Sequence, residues 1–108
     1  MNATIYHNPR CSKPREALRL LEEAGAMVTV VEYLKTPPPD AEIARLLTRA
    51  GLRPIDALRK DAPAPARASD TAALAAMAAD PALIERPLVE TDRGVVLARP
   101  PERVLELL

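Results

Sequence analysis

The chain predicts an α/β fold, one mixed sheet flanked by helices, and three patterns in its 108 residues carry that reading. A strand, a helix and a second strand follow one another over residues 4–34; a helical block fills about 40–80; and two β-prone stretches around a tight turn, then a helix, close the chain. Alternation of this kind argues for a sheet covered by helices rather than a bundle or a sandwich.

Thr4-Ile5-Tyr6 is a short strand, followed by the loop His7-Asn8-Pro9-Arg10-Cys11-Ser12. A helix fits over 13–24: Pro14 suits its first turn, Ala17, Leu18, Leu21 and Ala24 form an apolar stripe, and Gly25 suits the position after the C-cap. Residues 27–34 are nearly all β-prone, which predicts a strand buried on both faces, and the strand–helix–strand spacing predicts a right-handed parallel βαβ unit. Three prolines at 37–39 end that region.

The helical block begins with a helix over 40–50 that turns Ile43, Leu46, Leu47 and Ala50 inward and stops at Gly51. A short helix follows from Pro54 to the Arg59-Lys60 pair; residues 61–68, rich in Ala and Pro, read as a loop; Ser69 or Asp70 caps a helix over 71–79. Leu88-Val89-Glu90 and Val95-Val96-Leu97 flank Thr91-Asp92-Arg93-Gly94, a hairpin signal, and Pro100-Pro101 opens a terminal helix with Val104, Leu105 and Leu108 apolar. The order βαβ, helical insertion, ββα around one sheet is the thioredoxin arrangement, and 108 residues predict a single domain carrying the insertion at about 40–80.

Composition narrows the function. Fifteen basic and fifteen acidic residues cancel, so nothing global favours nucleic acid or an anionic membrane and any anion site is local. No apolar run approaches the ~20 residues of a membrane span, and the first residues read as a strand rather than a signal peptide, which predicts a cytoplasmic protein. One Cys excludes an internal disulfide and cysteine-ligated zinc or iron–sulfur clusters, and with one His it leaves too few soft ligands for a transition-metal site made by this chain alone.

Cys11 falls between a strand end and a helix start, where first-turn N–H groups and the helix dipole favour an anion. With His7, Arg10, Lys13 and Arg15 close in sequence, this position lowers a thiol pKa from its ordinary value of about 8.5 and favours the nucleophilic thiolate; the alternative is an inert cysteine filling a core gap. His7 is either a base or orienting donor for Cys11 or a loop histidine bonded to backbone, and Asn8 is a cross-link within the loop. Arg15, one turn past Cys11, is either part of an anion site or a solvated arginine. Arg59, Arg86 and Arg99 stand at element ends, the last two each preceding a proline, and taken singly each also fits a surface charge. Two mechanisms fail on spacing: a phosphatase loop needs an arginine six residues after the cysteine, where Ala17 stands, and a Cys-x-x-Cys dithiol needs a cysteine where Pro14 stands. A covalent adduct on Cys11 therefore requires a thiol from outside to resolve it.

The segment Tyr6-His7-Asn8-Pro9-Arg10-Cys11-Ser12-Lys13-Pro14-Arg15 resembles the active-site segment of the arsenate reductases that couple to glutathione and glutaredoxin. Glu32-Tyr33-Leu34-Lys35-Thr36-Pro37-Pro38 resembles their second strand and following turn; Leu58-Arg59-Lys60, Glu85-Arg86-Pro87-Leu88-Val89 and Leu97-Ala98-Arg99-Pro100 resemble their three arginine-bearing segments. Five segments agree in order over nearly the whole chain. Two features depart from the pattern: Ser12 where the best-known reductases carry Gly, and a shorter, Ala/Pro-rich stretch between 60 and 86.

The resemblance implies a thioredoxin-like fold and reduction of arsenate to arsenite, with Cys11 as nucleophile, His7 helping to keep it ionised, and Arg59, Arg86 and Arg99 binding the oxyanion with support from Arg15. It implies structural roles at the site for Asn8, Ser12 and Pro87, with Arg86-Pro87 as the family's cis peptide. Glutathione would be co-substrate and glutaredoxin partner, with no tightly bound cofactor, metal, nucleic acid or membrane. Two alternatives share the fold: a glutathione-dependent thiol reductase of another substrate, and a non-catalytic binding protein like the redox-responsive regulators that bind RNA polymerase.

Overall fold

The computed structural model describes residues 1–7, 13–35, 38–85 and 87–108. Strands β1 (Asn2–His7), β2 (Met27–Glu32), β3 (Leu88–Thr91) and β4 (Gly94–Leu97) form one mixed sheet in the order β2-β1-β3-β4. β1 and β2 run parallel with Ile5 opposite Val30; β1 and β3 run antiparallel with Ile5 opposite Val89; β3 and β4 close a hairpin with Val89 opposite Val96. Helix α1 (Lys13–Glu23) links β1 to β2, and a 3₁₀ helix over Pro101–Leu107 follows β4. This is the predicted βαβ–ββα order on a mixed sheet. Two compact units divide the chain: residues 1–33 with 86–108, and residues 34–85.

The core of the first unit follows from the two-residue period of the strands. Ala3 and Ile5 of β1, Val89 of β3 and Val96 of β4 share one face and are buried together with Ala17 and Leu21 of α1 and Val104 and Leu107 of the terminal helix. The terminal helix buries Val104 and Leu107, with Leu108 packed against the core, so of the three apolar residues Val104, Leu105 and Leu108 marked in the sequence only Leu105, 49% exposed, faces out. The reason is its winding: in a 3₁₀ helix residues three apart align, so Val104 and Leu107 share a side. Strand β2 is also corrected. It lies at the sheet edge, paired among the described residues to β1 alone, and Met27 is 73% exposed; β-branched residues fit an edge strand as well as a central one, so their run did not signal burial on both faces.

The second unit holds α2 (Asp40–Ala50) and α3 (Asp70–Ala79) with short 3₁₀ turns at Pro54–Ala57, Ala64–Arg67 and Pro81–Leu83. Helix α2 buries Ile43, Leu46 and Leu47 and ends at Gly51, whose φ of 70° only glycine adopts without strain, with its N–H returned to the last-turn carbonyls. Ser69 caps α3, its Oγ accepting from Ala72 N at 3.0 Å. The 61–68 loop contains a 3₁₀ turn, favoured by Pro63 and Pro65, whose fixed φ suits a helical start.

No helix of the described residues is long and apolar enough to cross a membrane.

Candidate active site

Strand register decides which segments meet in the first unit. Tyr6 of β1 stands opposite Leu88 of β3, and Leu88 stands opposite Leu97 of β4. The exit of β1 at His7, the entry of β3 after Pro87 and the exit of β4 at Leu97 therefore lie at one end of the sheet. Ala98 N donates to Pro87 O at 2.8 Å, carrying the ladder one step past the hairpin, and Arg99 N donates to Leu97 O at 2.9 Å. Arg99 is held on this rim, half-buried, and its bond to Pro100 is a cis peptide. Arg103 reaches back along the terminal helix to donate from Nη1 to Leu97 O at 3.3 Å, fixing the end of β4 from the other side.

The segment that contains Cys11 joins this same rim to the N-terminus of α1: it leaves β1 after His7 and enters the helix at Lys13. Carboxyl ends of parallel strands and helix N-termini are where α/β sheets bind anions, and both occur here. Cys11, Asn8, Ser12 and Arg86 lie outside the described residues, as does the expectation of a cis bond at Arg86-Pro87; of His7 only the main chain, at the end of β1, is described. Pro87 is fully buried at the start of β3.

Arg15 sits exposed in the first turn of α1. Glu16, beside it, puts a carboxylate in the same turn, but Arg19 engages it with Nε and Nη2, and Arg19 Nη1 also donates to Glu23 at 2.6 Å. The hydrogen bond from Arg19 holds the Glu16 carboxyl below its ordinary range, so its charge is paired along the helix surface instead of opposing an anion at the N-terminus.

Arg59 belongs to the second unit, and its setting differs from the predicted one. The 3₁₀ turn stops at Ala57, and Leu58 enters an extended bridge with Ile84. Arg59 N donates to Leu83 O at 2.9 Å and Glu85 N to Ala57 O at 2.7 Å, a short antiparallel pairing that ties Arg59 to the stretch leading into position 86. Arg59 thus does not end a helix. An extended backbone satisfied on both sides holds it, with the flanking Leu58 and Ile84 each 5% exposed.

Two partners of Arg59 carry no signal in the sequence. Asp61 Oδ1 accepts from Arg59 Nε at 3.3 Å, and Arg67, eight residues on, donates from Nη2 to Arg59 O at 2.5 Å. Both come from the Ala/Pro-rich stretch. An acid two residues after an arginine and an arginine at the end of a loop are too common to mark a pairing in advance; charge type, after the 3₁₀ turn is known, is the one clue available. Among the described residues no group of three or more His, Cys, Asp or Glu is placed to hold a metal ion.

These features define a class: a thioredoxin-like α/β protein with one cysteine in the strand-to-helix segment and an arginine held on the same rim of the sheet. The ArsC family model matches residues 6–107. An arsenate reductase of Rhizobium meliloti strain 1021 is 44% identical over all of this chain and 82% of its own length, and the uncharacterised protein YfgD of Escherichia coli strain K12 is 40% identical over 96% of this chain and 94% of its own. Among solved structures, an arsenate reductase from Vibrio cholerae superposes with a TM-score of 0.91 at 42% identity, covering 100% of this chain and 98% of that one. The chain belongs to the ArsC family.

Proposed function

We propose that the protein reduces arsenate to arsenite with Cys11 as its nucleophile and with glutathione and glutaredoxin as the external thiols. The observation that carries this reading is the similarity, over the full chain, to proteins named arsenate reductases at more than 40% identity. The rim geometry of the first unit supports it: Arg99 stands at the sheet end from which the Cys11 segment departs.

The chemistry balances with one cysteine. Thiolate Cys11 attacks arsenic(V), an arsenate oxygen leaves as water after protonation, and an S–As bond forms. Planar guanidinium forks of Arg59, Arg86 and Arg99 suit a tetrahedral oxyanion, neutralising both the bound anion and the charge built during attack. His7 and the α1 N-terminus favour the ionised thiol, and Arg15 adds positive charge at the helix start. A glutathione thiolate then attacks the Cys11 sulfur; the S–As bond breaks with its electron pair staying on arsenic, which leaves as arsenite, and a Cys11–glutathione disulfide remains. The glutaredoxin thiolate takes over the glutathione and frees Cys11. Asn8, Ser12 and Pro87 shape the site around that sulfur, and no tightly bound cofactor is needed. A cytoplasmic setting, where the glutathione pool is reducing, suits this cycle.

The test is arsenate-dependent thiol consumption with glutathione and glutaredoxin present. Turnover by the wild type that disappears in Cys11→Ser is expected. A wild type inactive at every arsenate concentration, or a fully active Cys11→Ser, contradicts the proposal.

A further inference from the structure

The Ala/Pro-rich stretch between 60 and 86 is where the sequence leaves its family's pattern, and in the structure that stretch closes on Arg59. We propose that Asp61 and Arg67 are positioning residues for oxyanion binding, holding the Arg59 side chain and main chain in one presentation; this rests on the reading of Arg59 as an oxyanion ligand.

Three restraints act on Arg59. Its N–H is committed to Leu83 O, and its carbonyl accepts from both Ala62 N at 3.1 Å and the Arg67 guanidinium at 2.5 Å. Its side chain, 28% exposed, meets Asp61 through Nε. A guanidinium can offer an anion either its Nη1/Nη2 edge or its Nε/Nη2 edge, and a carboxylate on Nε blocks the second. Asp61 therefore selects the Nη1/Nη2 edge for the ligand. Arg67 works on the other end of the residue: a charge-assisted bond to the Arg59 carbonyl fixes the backbone from which the side chain projects. The 3₁₀ turn over Ala64–Arg67 makes this reach possible, because Pro65 within it and Pro63 before it stiffen the path and bring Arg67 back across the eight-residue interval.

An exposed carboxylate beside an anion site also repels the anion, and that contribution has the opposite sign. Asp61 is 76% exposed, so solvent weakens the through-space repulsion and the Asp61–Arg59 attraction alike, and the directional Nε contact is what distinguishes them. Positioning therefore outweighs repulsion, and removal of either partner weakens oxyanion binding.

Two readouts separate this inference from the proposed function. Arsenate binding, followed on the Arg59 Nε–Hε resonance by NMR titration, reads positioning; glutaredoxin-coupled turnover reads the reaction. Asp61→Ala and Arg67→Ala are each expected to weaken arsenate binding and raise KM by about three- to fivefold, the scale of an exposed ion pair, with a smaller change in kcat. Asp61→Asn, which keeps an acceptor oxygen, and Arg67→Lys, which keeps a charged donor, are expected to restore most of the loss. Binding that is unchanged or tighter in Asp61→Ala and Arg67→Ala, or an Asp61→Asn as impaired as Asp61→Ala, overturns the inference and leaves the proposed function standing. A wild type that binds arsenate with the predicted dependence on Asp61 and Arg67 but does not turn over supports the inference and contradicts the function.

Discussion

Arg99 shows how little of a side chain's role is visible from its neighbours in sequence. Standing before Pro100, it reads as a surface charge at a strand end; the register Tyr6–Leu88–Leu97 and the bond from Ala98 N to Pro87 O are what bring it to the rim from which the Cys11 segment leaves. In the proposed oxyanion role a fork and a point charge are not equivalent, because a planar fork can meet two oxyanion oxygens at once. Arg99→Lys is expected to raise the arsenate KM about tenfold, on the order of 1.4 kcal/mol, while leaving the thermal midpoint within a degree or two of wild type; steady-state kinetics beside a melting curve checks both. An unchanged KM removes Arg99 from the oxyanion site. The same scale explains why Asp61 and Arg67 were not legible: hydrogen bonds at offsets of two and eight residues through an irregular stretch have no periodicity to announce them.

At the scale of elements, legibility followed the strength of local chemistry. Helix α2 is readable because an apolar stripe of period near four ends at a glycine, and the structure places its last residue at Ala50 with Gly51 left-handed at φ 70°. Helix α3 is readable from its cap, since Ser69 satisfies a first-turn N–H that would otherwise lack a partner. These two devices give a stability prediction: Gly51→Ala and Ser69→Ala are each expected to cost about 1 kcal/mol in denaturant unfolding, the first through left-handed strain and the second through the lost cap. No change in either would mean that the helix ends are held by packing alone. Where the long-range partner decides, local reading failed. Val28, Val30 and Val31 say strand but not edge; Leu58 says helix until Ile84 pairs with it across the chain; Leu105 says buried face until the helix winds as 3₁₀. Much of the core, Ile5, Leu21, Val89 and Val96 among others, needed only the two periods of strand and α-helix.

For the molecule as a whole, the most informative fact is a count. One cysteine in 108 residues means that the two electrons arsenate takes up cannot come from closing an internal disulfide, so the proposed cycle draws them through a bond between this chain and a thiol from elsewhere. A net charge of zero says in turn that an anion would be drawn to a local site and not to the molecule's overall field. Family membership, plain from the match over residues 6–107, was legible from the Cys11 segment and the arginine segments together and from none of them singly.

The central claim is that Cys11 alone carries the reaction and hands its oxidation to glutathione. Intact-protein mass spectrometry after incubation with arsenate and glutathione, glutaredoxin withheld, tests it most directly. The expected result is one added glutathione, mapped by peptide digestion to Cys11, dependent on arsenate and removed when glutaredoxin is supplied; arsenite released into solution with Cys11 unmodified throughout would contradict the account.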